Sequence, residues 1–430
     1  MCLVTCTLDV FSQQGSQRHV LTIGEMFSLV DSNCISLRPA RTGVEEAGEG
    51  LREARRSRLP DIQASLSFSY IGNGWMSDRD FSNGTKAEMP HYGNNFSVEA
   101  TQVIYAGGVI RRGIALAELA KENAELEAIK QRKDLYFQFV GDYLELFQQR
   151  NLLGVYESHI EQTAKVLQEM KAKEGQGLVL PNDITRYELL LKNLELQRTR
   201  IRNTVEILNT DLVTRLGMAP GTVILPDTTL LTRVLPEKDK DEWLQTATRQ
   251  SVSLQQLTLG EKMSRQEEGI ARSERLPQVA LVASNHFDGP ILIEVPPIDK
   301  NFNYWYVGVG IKYNLASLYK KKSSVQKQRL ATRRVQEQYA DAAEQTRLLV
   351  NAEYIRYRED REQLQTRLKN VELARQNHEV VRHRYYNELA LVTDLLDADN
   401  ARLQADVELA NSRVSIIFSY YKLLYLAGII

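Results

Sequence analysis

The segment Gly175-Gln176-Gly177-Leu178-Val179-Leu180-Pro181-Asn182-Asp183 separates two long runs of helical periodicity. Gly175 and Gly177 loosen the end of one helix, and Pro181 with Asn182-Asp183 supplies the start signals of the next. Before the turn, Phe139, Leu146, Leu153, Ile160 and Leu167 recur every seventh residue. After it, Tyr187, Leu191, Leu194, Arg198, Ile201, Val205, Leu208 and Leu212 alternate steps of four and three, and only Arg198 breaks the seam. A narrow apolar stripe between charged faces is coiled-coil patterning. The spacing therefore predicts a helical hairpin over 108–217. An arm of about 65 helical residues is about 100 Å long at 1.5 Å per residue. Taken alone, the pattern is also that of a soluble coiled-coil rod.

Composition narrows the function. The 430-residue chain is one-quarter charged, yet its net charge is −1. Nucleic acid as a main partner would demand a basic excess. The six histidines are scattered, and no Cys-x-x-Cys or His-Glu-x-x-His spacing occurs, so neither a metal site nor a cofactor is implied. There is no Gly-x-x-x-x-Gly-Lys-Ser loop and no catalytic constellation, which argues against an enzyme. The cysteines, Cys2, Cys6 and Cys34, give no disulfide framework. Residues 2–11 are mostly apolar and read as the tail of a secretion signal lacking its basic start. Leu3-Val4-Thr5-Cys6 faintly resembles a lipoprotein cleavage box, with Thr5 a poor fit. No run of 18 uncharged apolar residues exists, so no transmembrane helix is expected.

Along the chain, a tail over 1–20 precedes a first repeat over 21–217. Its helix spans 22–57, with a break expected at Pro39. Then Ile62, Ala64, Leu66, Phe68 and Tyr70 alternate with Gln63, Ser65, Ser67 and Ser69, a strict period of two. This predicts a strand over 62–71. A second, over 96–105, sets Phe96, Val98, Ala100 and Ile104 on one side. The hairpin of 108–217 follows, then a connector over 218–238. The second repeat, 239–430, has the same order: a helix to 274, strands over 278–287 and 304–314, and a helical hairpin over 317–427 turning near Tyr386–Thr393. Arg275-Leu276-Pro277 echoes Arg58-Leu59-Pro60. An offset of roughly 210 residues points to duplication of one supersecondary unit.

The strands have an apolar face, a small polar face and aromatics near their ends (Tyr70, Trp305 and Tyr313). That alternation is how a membrane-spanning barrel reads, and about ten residues suffice to cross when tilted. Four strands cannot close a useful barrel, so closure would need several copies of the chain. The alternative is a small antiparallel sheet packed on the helices.

With these features in place, the sequence resembles the TolC-like family of trimeric outer-membrane efflux and secretion channels. The likeness covers about 20–428 and rests on the duplicated plan and both hairpin turns. Gly177-Leu178-Val179-Leu180-Pro181-Asn182-Asp183-Ile184 is similar to the family's Gly-Leu-Val-x-x-x-Asp-Val turn. Thr393-Asp394-Leu395-Leu396-Asp397-Ala398 is similar to its Asp-Val-Leu-Asp-Ala stretch. The resemblance implies a mainly helical fold with a small β part. Three chains, each giving four strands and four long helices, would form a 12-stranded barrel in the outer-membrane lipid and a 12-helix periplasmic tunnel. The implied partners are a periplasmic adaptor and an inner-membrane pump. The rivals are a soluble coiled-coil structural protein and the adaptor itself.

Site residues follow from the same resemblance. Asp394 and Asp397 match the acidic pair of the entrance constriction. Three apart on a helix, they share a face and would stack as rings in a trimer, attracting cations. The competing reading makes Asp394 a helix N-cap and Asp397 an exposed first-turn acid. Asp183 and Tyr385 match positions that hold the entrance shut. Ala390 stands where a basic partner is expected and Glu388 where a glycine is usual, leaving Arg382 or Arg384 as substitutes. Gly177, Leu178 and Val179, with Leu389, Ala390 and Leu391, present small and apolar groups for a helical partner tip. Tyr70, Trp305 and Tyr313 would form the membrane aromatic girdle.

Overall fold

The computed structural model describes residues 18–231, 236, 238–294 and 296–430. The secretion-signal and Cys6-lipidation readings lie outside the described residues. The chain begins with β1 (Arg18–Leu21), α1 (Ile23–Asn33), a 3-10 turn, α2 (Arg38–Arg56) and β2 (Asp61–Tyr70). A small hairpin, β3 (Gly74–Met76) and β4 (Thr85–Ala87), precedes β5 (Tyr92–Ala106). The long helices α3 (Val109–Glu174) and α4 (Pro181–Arg215) follow, then β6 (Val223–Pro226), α5 (Lys240–Gln250), α6 (Val252–Ser273), β7 (Gln278–Gly289) and β8 (Phe302–Lys312). One-turn α7 (Ser317–Lys320) leads into α8 (Lys322–Tyr386) and α9 (Val392–Leu426). The chain is mainly helical, and among the described residues no helix is long and apolar enough to cross a membrane.

Several local expectations are corrected. The first helix breaks at Cys34, whose backbone is extended, and not at Pro39. Pro39 sits in the first turn of α2, where a missing N–H is harmless. The helix expected over 239–274 is likewise two helices, parted at extended Ser251. Cys34 and Ser251 are the same break. The Cys34 N–H reaches the Val30 carbonyl at 3.2 Å and the Ser251 N–H reaches Ala247 at 3.0 Å, each pair 217 positions from its counterpart. The hairpin ends repeat at a second offset, 211: Met218 N–H to Val213 O is 3.0 Å and Ile429 N–H to Leu424 O is 2.9 Å. The duplication is thus carried by backbone hydrogen bonds, and the two offsets differ because the loops and long arms differ in length.

The fold separates into two compact units, and each draws residues from both halves of the chain. The first holds the described residues up to Arg41, Leu126–Gln255 and Asp341–Ile430. In it, Met26 and Val30 of α1 pack with Phe139, Tyr143 and Phe147 of α3 and Leu212 of α4. Tyr143 donates its hydroxyl hydrogen to Leu21 O at 2.7 Å and accepts the Asp227 N–H at 2.8 Å. β1 and β6 pair in parallel beside it, a contact the sequence did not announce. The second half repeats the arrangement: Trp243 and Ala247 of α5 pack with Val350 and Tyr357 of α8, Leu423 of α9 and Ala427 just past its end. Every residue of the expected seam on α4 is buried or half-buried, Arg198 included.

The second unit, Thr42–Glu125 and Gln256–Ala340, holds an antiparallel sheet in the order β2-β5-β7-β8. Register aligns Leu66 with Phe96, Phe287 and Asn303, and Ala64 with Val98, Asn285 and Trp305. The other face aligns Ser65 with Ser97, His286 and Tyr304, and Gln63 with Glu99, Ser284 and Tyr306. One face is therefore largely apolar and the other largely polar, as the alternation predicts. Ile104 departs from its expected place. The register shifts between Val103 and Tyr105, so Ile104 is the bulged residue and Tyr105 takes its row, beside Val279 and Ile311. All of β2 and β8 is exposed, and neither outer edge pairs with another strand among the described residues.

Gly217 (φ +65°) closes the first hairpin against Asn33, whose Nδ2 donates to Leu216 O at 2.9 Å. A Cβ there would lie 2.9 Å from the Asn33 Cβ. Gly217→Ala is expected to destabilise by on the order of 2 kcal/mol, from left-handed strain and this clash. Gly154, inside α3 with open space at its Cβ position, should respond oppositely, Gly154→Ala stabilising by about 0.5–1 kcal/mol. Thermal unfolding in detergent reads both, and a fall in midpoint for both would sink the helix-interior assignment of Gly154.

Candidate functional site

The two hairpin tips are built alike. At the end of α3, the Leu178 N–H reaches Lys173 O at 3.1 Å and the Gly177 N–H reaches Glu174 O at 2.8 Å. At the end of α8, the Leu389 N–H reaches Arg384 O at 2.8 Å and the Glu388 N–H reaches Tyr385 O at 3.0 Å. This is the Schellman closure, whose turning residue needs positive φ. Gly177 supplies it at +76°, but Glu388 adopts +64° with a full side chain.

The next helices start alike too. Leu180 and Leu391 are the N-caps, and the Asp183 and Asp394 amides reach their carbonyls at 3.0 and 3.1 Å. Asp183 and Asp394 therefore occupy one equivalent position, the third residue of each helix. Asp394 is not the N-cap: its Oδ2 instead accepts the Leu391 N–H at 2.9 Å. That contact closes the first turn of α9. Asp394 and Asp397 are both exposed on α9, and Asp397 has no polar side-chain partner among the described residues.

Asp183 is half-buried and faces Tyr385. Burial first, and the Asp183 charge second, push the Tyr385 phenol above its ordinary range. Neither proposed basic substitute meets Asp183. Arg384 donates to Leu389 O at 3.3 Å, and Arg382 leans toward Glu379 at 3.5 Å. Leu178, Leu180, Leu389 and Leu391 are exposed at the tips, Gly177 with them, while Val179 and Ala390 are half-buried. Beneath them Leu167, Met170, Ile184, Tyr187, Val392 and Leu395 form a small apolar cluster.

A polar ladder between the helices was not read from the sequence. Asp399 on α9 accepts the Tyr187 hydroxyl of α4 at 2.7 Å and lies 2.8 Å from His378 Nε2 of α8. Two turns on, Asp406 lies 3.1 Å from His159 Nε2 of α3 and 2.9 Å from Arg375 Nη2 of α8. Both histidines are buried. Nearer the tips, the Tyr386 hydroxyl donates to Glu169 and Lys173 sits over its ring at 4.6 Å. Burial, then Asp399, drives the Tyr187 phenol far above its ordinary value. For Asp406 burial opposes ionisation, but the hydrogen bonds from His159 and Arg375 prevail and hold its carboxyl below 3.8. The signal available in sequence was the spacing of Asp399 and Asp406, seven apart on one face of α9.

In the sheet, Tyr70 ends β2 and packs edge-on with Tyr92 at 6.2 Å. Tyr313 lies one residue past β8 at the other end. Trp305 occupies a middle row, 73% exposed.

No protein-family model and no curated protein matches the chain. Solved structures do. The chain has the TolC-like outer-membrane channel fold. It is similar to the outer membrane protein VceC of Vibrio cholerae (16% identity, TM-score 0.77, covering 94% of this chain and 96% of that one). The outer-membrane channel OprN is similar at 17% identity and TM-score 0.79, over 94% and 89% of the two chains. The Campylobacter jejuni CmeC outer membrane channel matches at 14% identity and TM-score 0.74, over 100% and 93%.

Two outcomes follow. Asp406 supports the fold at neutral pH, and its contribution should fade as pH falls from about 3.8 through its lower folded-state value. Asp406→Asn should unfold more easily at pH 7 and lose that part of the acid dependence, and an unchanged pH profile of the unfolding midpoint would refute the assignment. Glu388→Gly relieves a left-handed backbone and should raise stability by up to about 1 kcal/mol, measurable in the same experiment.

Proposed function

We propose that this chain is the outer-membrane exit duct of a tripartite efflux or secretion system. It would be a passive conduit gated at its helix-turn tips. The observation that carries the reading is the four-stranded sheet, with an apolar face, a hydroxyl-rich face and two unpaired edges. In hydrocarbon every backbone N–H and C=O must be satisfied, so such a sheet is stable there only when closed. Three copies, each joining β8 to the next copy's β2, give twelve strands with the apolar face toward lipid. Tyr70, Trp305 and Tyr313 then face the membrane and its borders. The similarity of fold to outer-membrane channels supports this placement, in the outer membrane of a Gram-negative-type bacterium with the helices extending into the periplasm.

The tips supply the gate. In a trimer Asp394 and Asp397 form two rings of three carboxylates, a filter that favours cations. Asp183 faces Tyr385 between α4 and α8, and the Tyr187–Asp399–His378 and His159–Asp406–Arg375 links hold α9 to the other long helices of its own chain. Opening requires these buried groups to part or to move together. Leu178, Val179, Leu389 and Leu391, with Gly177 and Ala390, form a small-residue and apolar surface suited to the hairpin tip of a periplasmic adaptor. The adaptor would couple the duct to an inner-membrane pump. Energy comes from that pump, and the chain performs no catalysis.

The mass of the detergent-extracted species tests the reading. Three chains of 49.1 kDa, recovered from the outer-membrane fraction and conducting in planar bilayers, are expected. A monomer or dimer confined to the soluble fraction would instead leave a periplasmic coiled-coil structural or adaptor protein. In bilayers, Asp394→Asn with Asp397→Asn should sharply reduce cation selectivity and divalent-cation block, and unchanged selectivity would remove the acidic-ring assignment alone.

A further inference from the structure

The polar face of the sheet carries a row of aromatic rings that the closure argument does not use. Phe302, Tyr304 and Tyr306 alternate along β8, and His286 of β7 stands opposite Tyr304. Their planes are nearly parallel. Phe302 and Tyr304 have centroids 5.3 Å apart at 27°, Tyr304 and His286 5.1 Å at 17°, and His286 and Tyr306 6.4 Å at 13°. Such separations exceed face-on stacking, so the rings are offset and leave part of each face open. Phe302, Tyr304 and Tyr306 are 52%, 38% and 49% exposed. On the outward side of this strand, serine or threonine would be the wrong chemistry and aromatics the right one; here aromatics stand on the hydrophilic side, beside Ser65, Ser97 and Ser284.

Two carboxylates give the row a sign: Asp288, opposite Phe302 and accepting a hydrogen bond from Asn95 Nδ2, and Glu99. Glu99 shares a register row with Ser284 and Tyr306 and is half exposed. Its Oε1 is 3.9 Å from His286 Nε2, while that nitrogen meets the Ser284 hydroxyl at 2.6 Å. The hydroxyl holds the imidazole within the stack, and most of the carboxylate remains available to a guest. Aromatic faces attract cations, and a carboxylate at the edge of the stack adds to that attraction.

We propose that Phe302, Tyr304, His286 and Tyr306, with Glu99 at their edge, form a stacking site for flat aromatic cations. The proposal rests on the duct reading in one respect: the polar face lines the lumen, so the site meets the solute in transit. Two residues of strand advance about 6.6 Å, so the three β8 rings offer successive footholds to a ring system sliding past. A saturated ammonium ion carries the same charge without the stacking surface, and a flat anion meets Glu99 unfavourably.

The test pairs equilibrium binding with conductance on the full-length, detergent-extracted protein, using a planar cationic acridine dye. Fluorescence titration should give saturable binding to the wild type. Tyr304→Ala with Tyr306→Ala should weaken it at least about tenfold, and Glu99→Gln several-fold. The Tyr304→Phe, Tyr306→Phe pair should keep it and controls for folding of the strand. In bilayers the dye should interrupt wild-type current, and a cyclic saturated ammonium of equal charge should not. Conductance with dye binding that none of these substitutions alters, or with equal block by the saturated ion, would overturn the site and leave the duct standing. Substitution-sensitive binding by a protein that never conducts would overturn the duct and leave the site.

Discussion

A β-strand edge cannot be left unpaired where there is no water. The sheet of this chain has two such edges, on β2 and β8, and each is about ten residues long. In water they would be templates for indiscriminate pairing, and neither strand carries a proline or a bulge to blunt it. In lipid each unsatisfied backbone group would cost several kcal/mol. Among the described residues neither edge has a partner strand, so the proposed duct demands that β8 of one copy close on β2 of the next. Much else is consistent with that demand, including full exposure of both faces on the edge strands and the segregation of serine from leucine and phenylalanine across the sheet.

Duplication eases the construction. One repeat supplies helix, strand pair and hairpin, and the second supplies them again. The backbone hydrogen bonds keep the copies in step more faithfully than the side chains do. Gly217 and Gly428 both turn at positive φ against the end of a short helix, one against Asn33 and the other against the Gln250 carbonyl. Met26 and Trp243, unlike in shape, begin their helices with the same amide-to-carbonyl closure onto Thr22 and Asp239. Side chains have diverged where packing tolerates exchange, and the closures persist because a helix end admits few solutions.

This explains which features were legible in the sequence. Period-seven seams and period-two strands are long patterns, and both long helices of each hairpin and all four sheet strands emerged close to their expected limits. The breaks at Cys34 and Ser251 were hidden because neither position bears a glycine or proline; the chain leaves the helix there in order to pack, and Pro39 drew the boundary to the wrong turn. Ile104 was assigned by unbroken alternation, which a single bulged residue defeats. The first tip turn was recognisable from glycine, proline and aspartate chemistry, whereas the second has neither glycine nor proline and was placed by the resemblance of Thr393–Ala398. The polar ladder was not, since Tyr187, His159, His378, Asp399 and Asp406 lie on five separate turns of four helices and meet only in three dimensions.

That ladder also bears on how the tips are held. Asp394 and Asp397 are solvated, and surface ion pairs contribute little. Ala390 offers no cation, and Arg382 and Arg384 are occupied elsewhere. Asp399 and Asp406 are different. Each is largely withdrawn from water and accepts from two side chains on two helices, so loss of either donor leaves a buried carboxylate underpaired, which is far costlier than losing a surface contact. The ladder ties α9 to α3, α4 and α8 through hydrogen bonds to withdrawn carboxylates, a firmer attachment than the exposed groups at the tips provide.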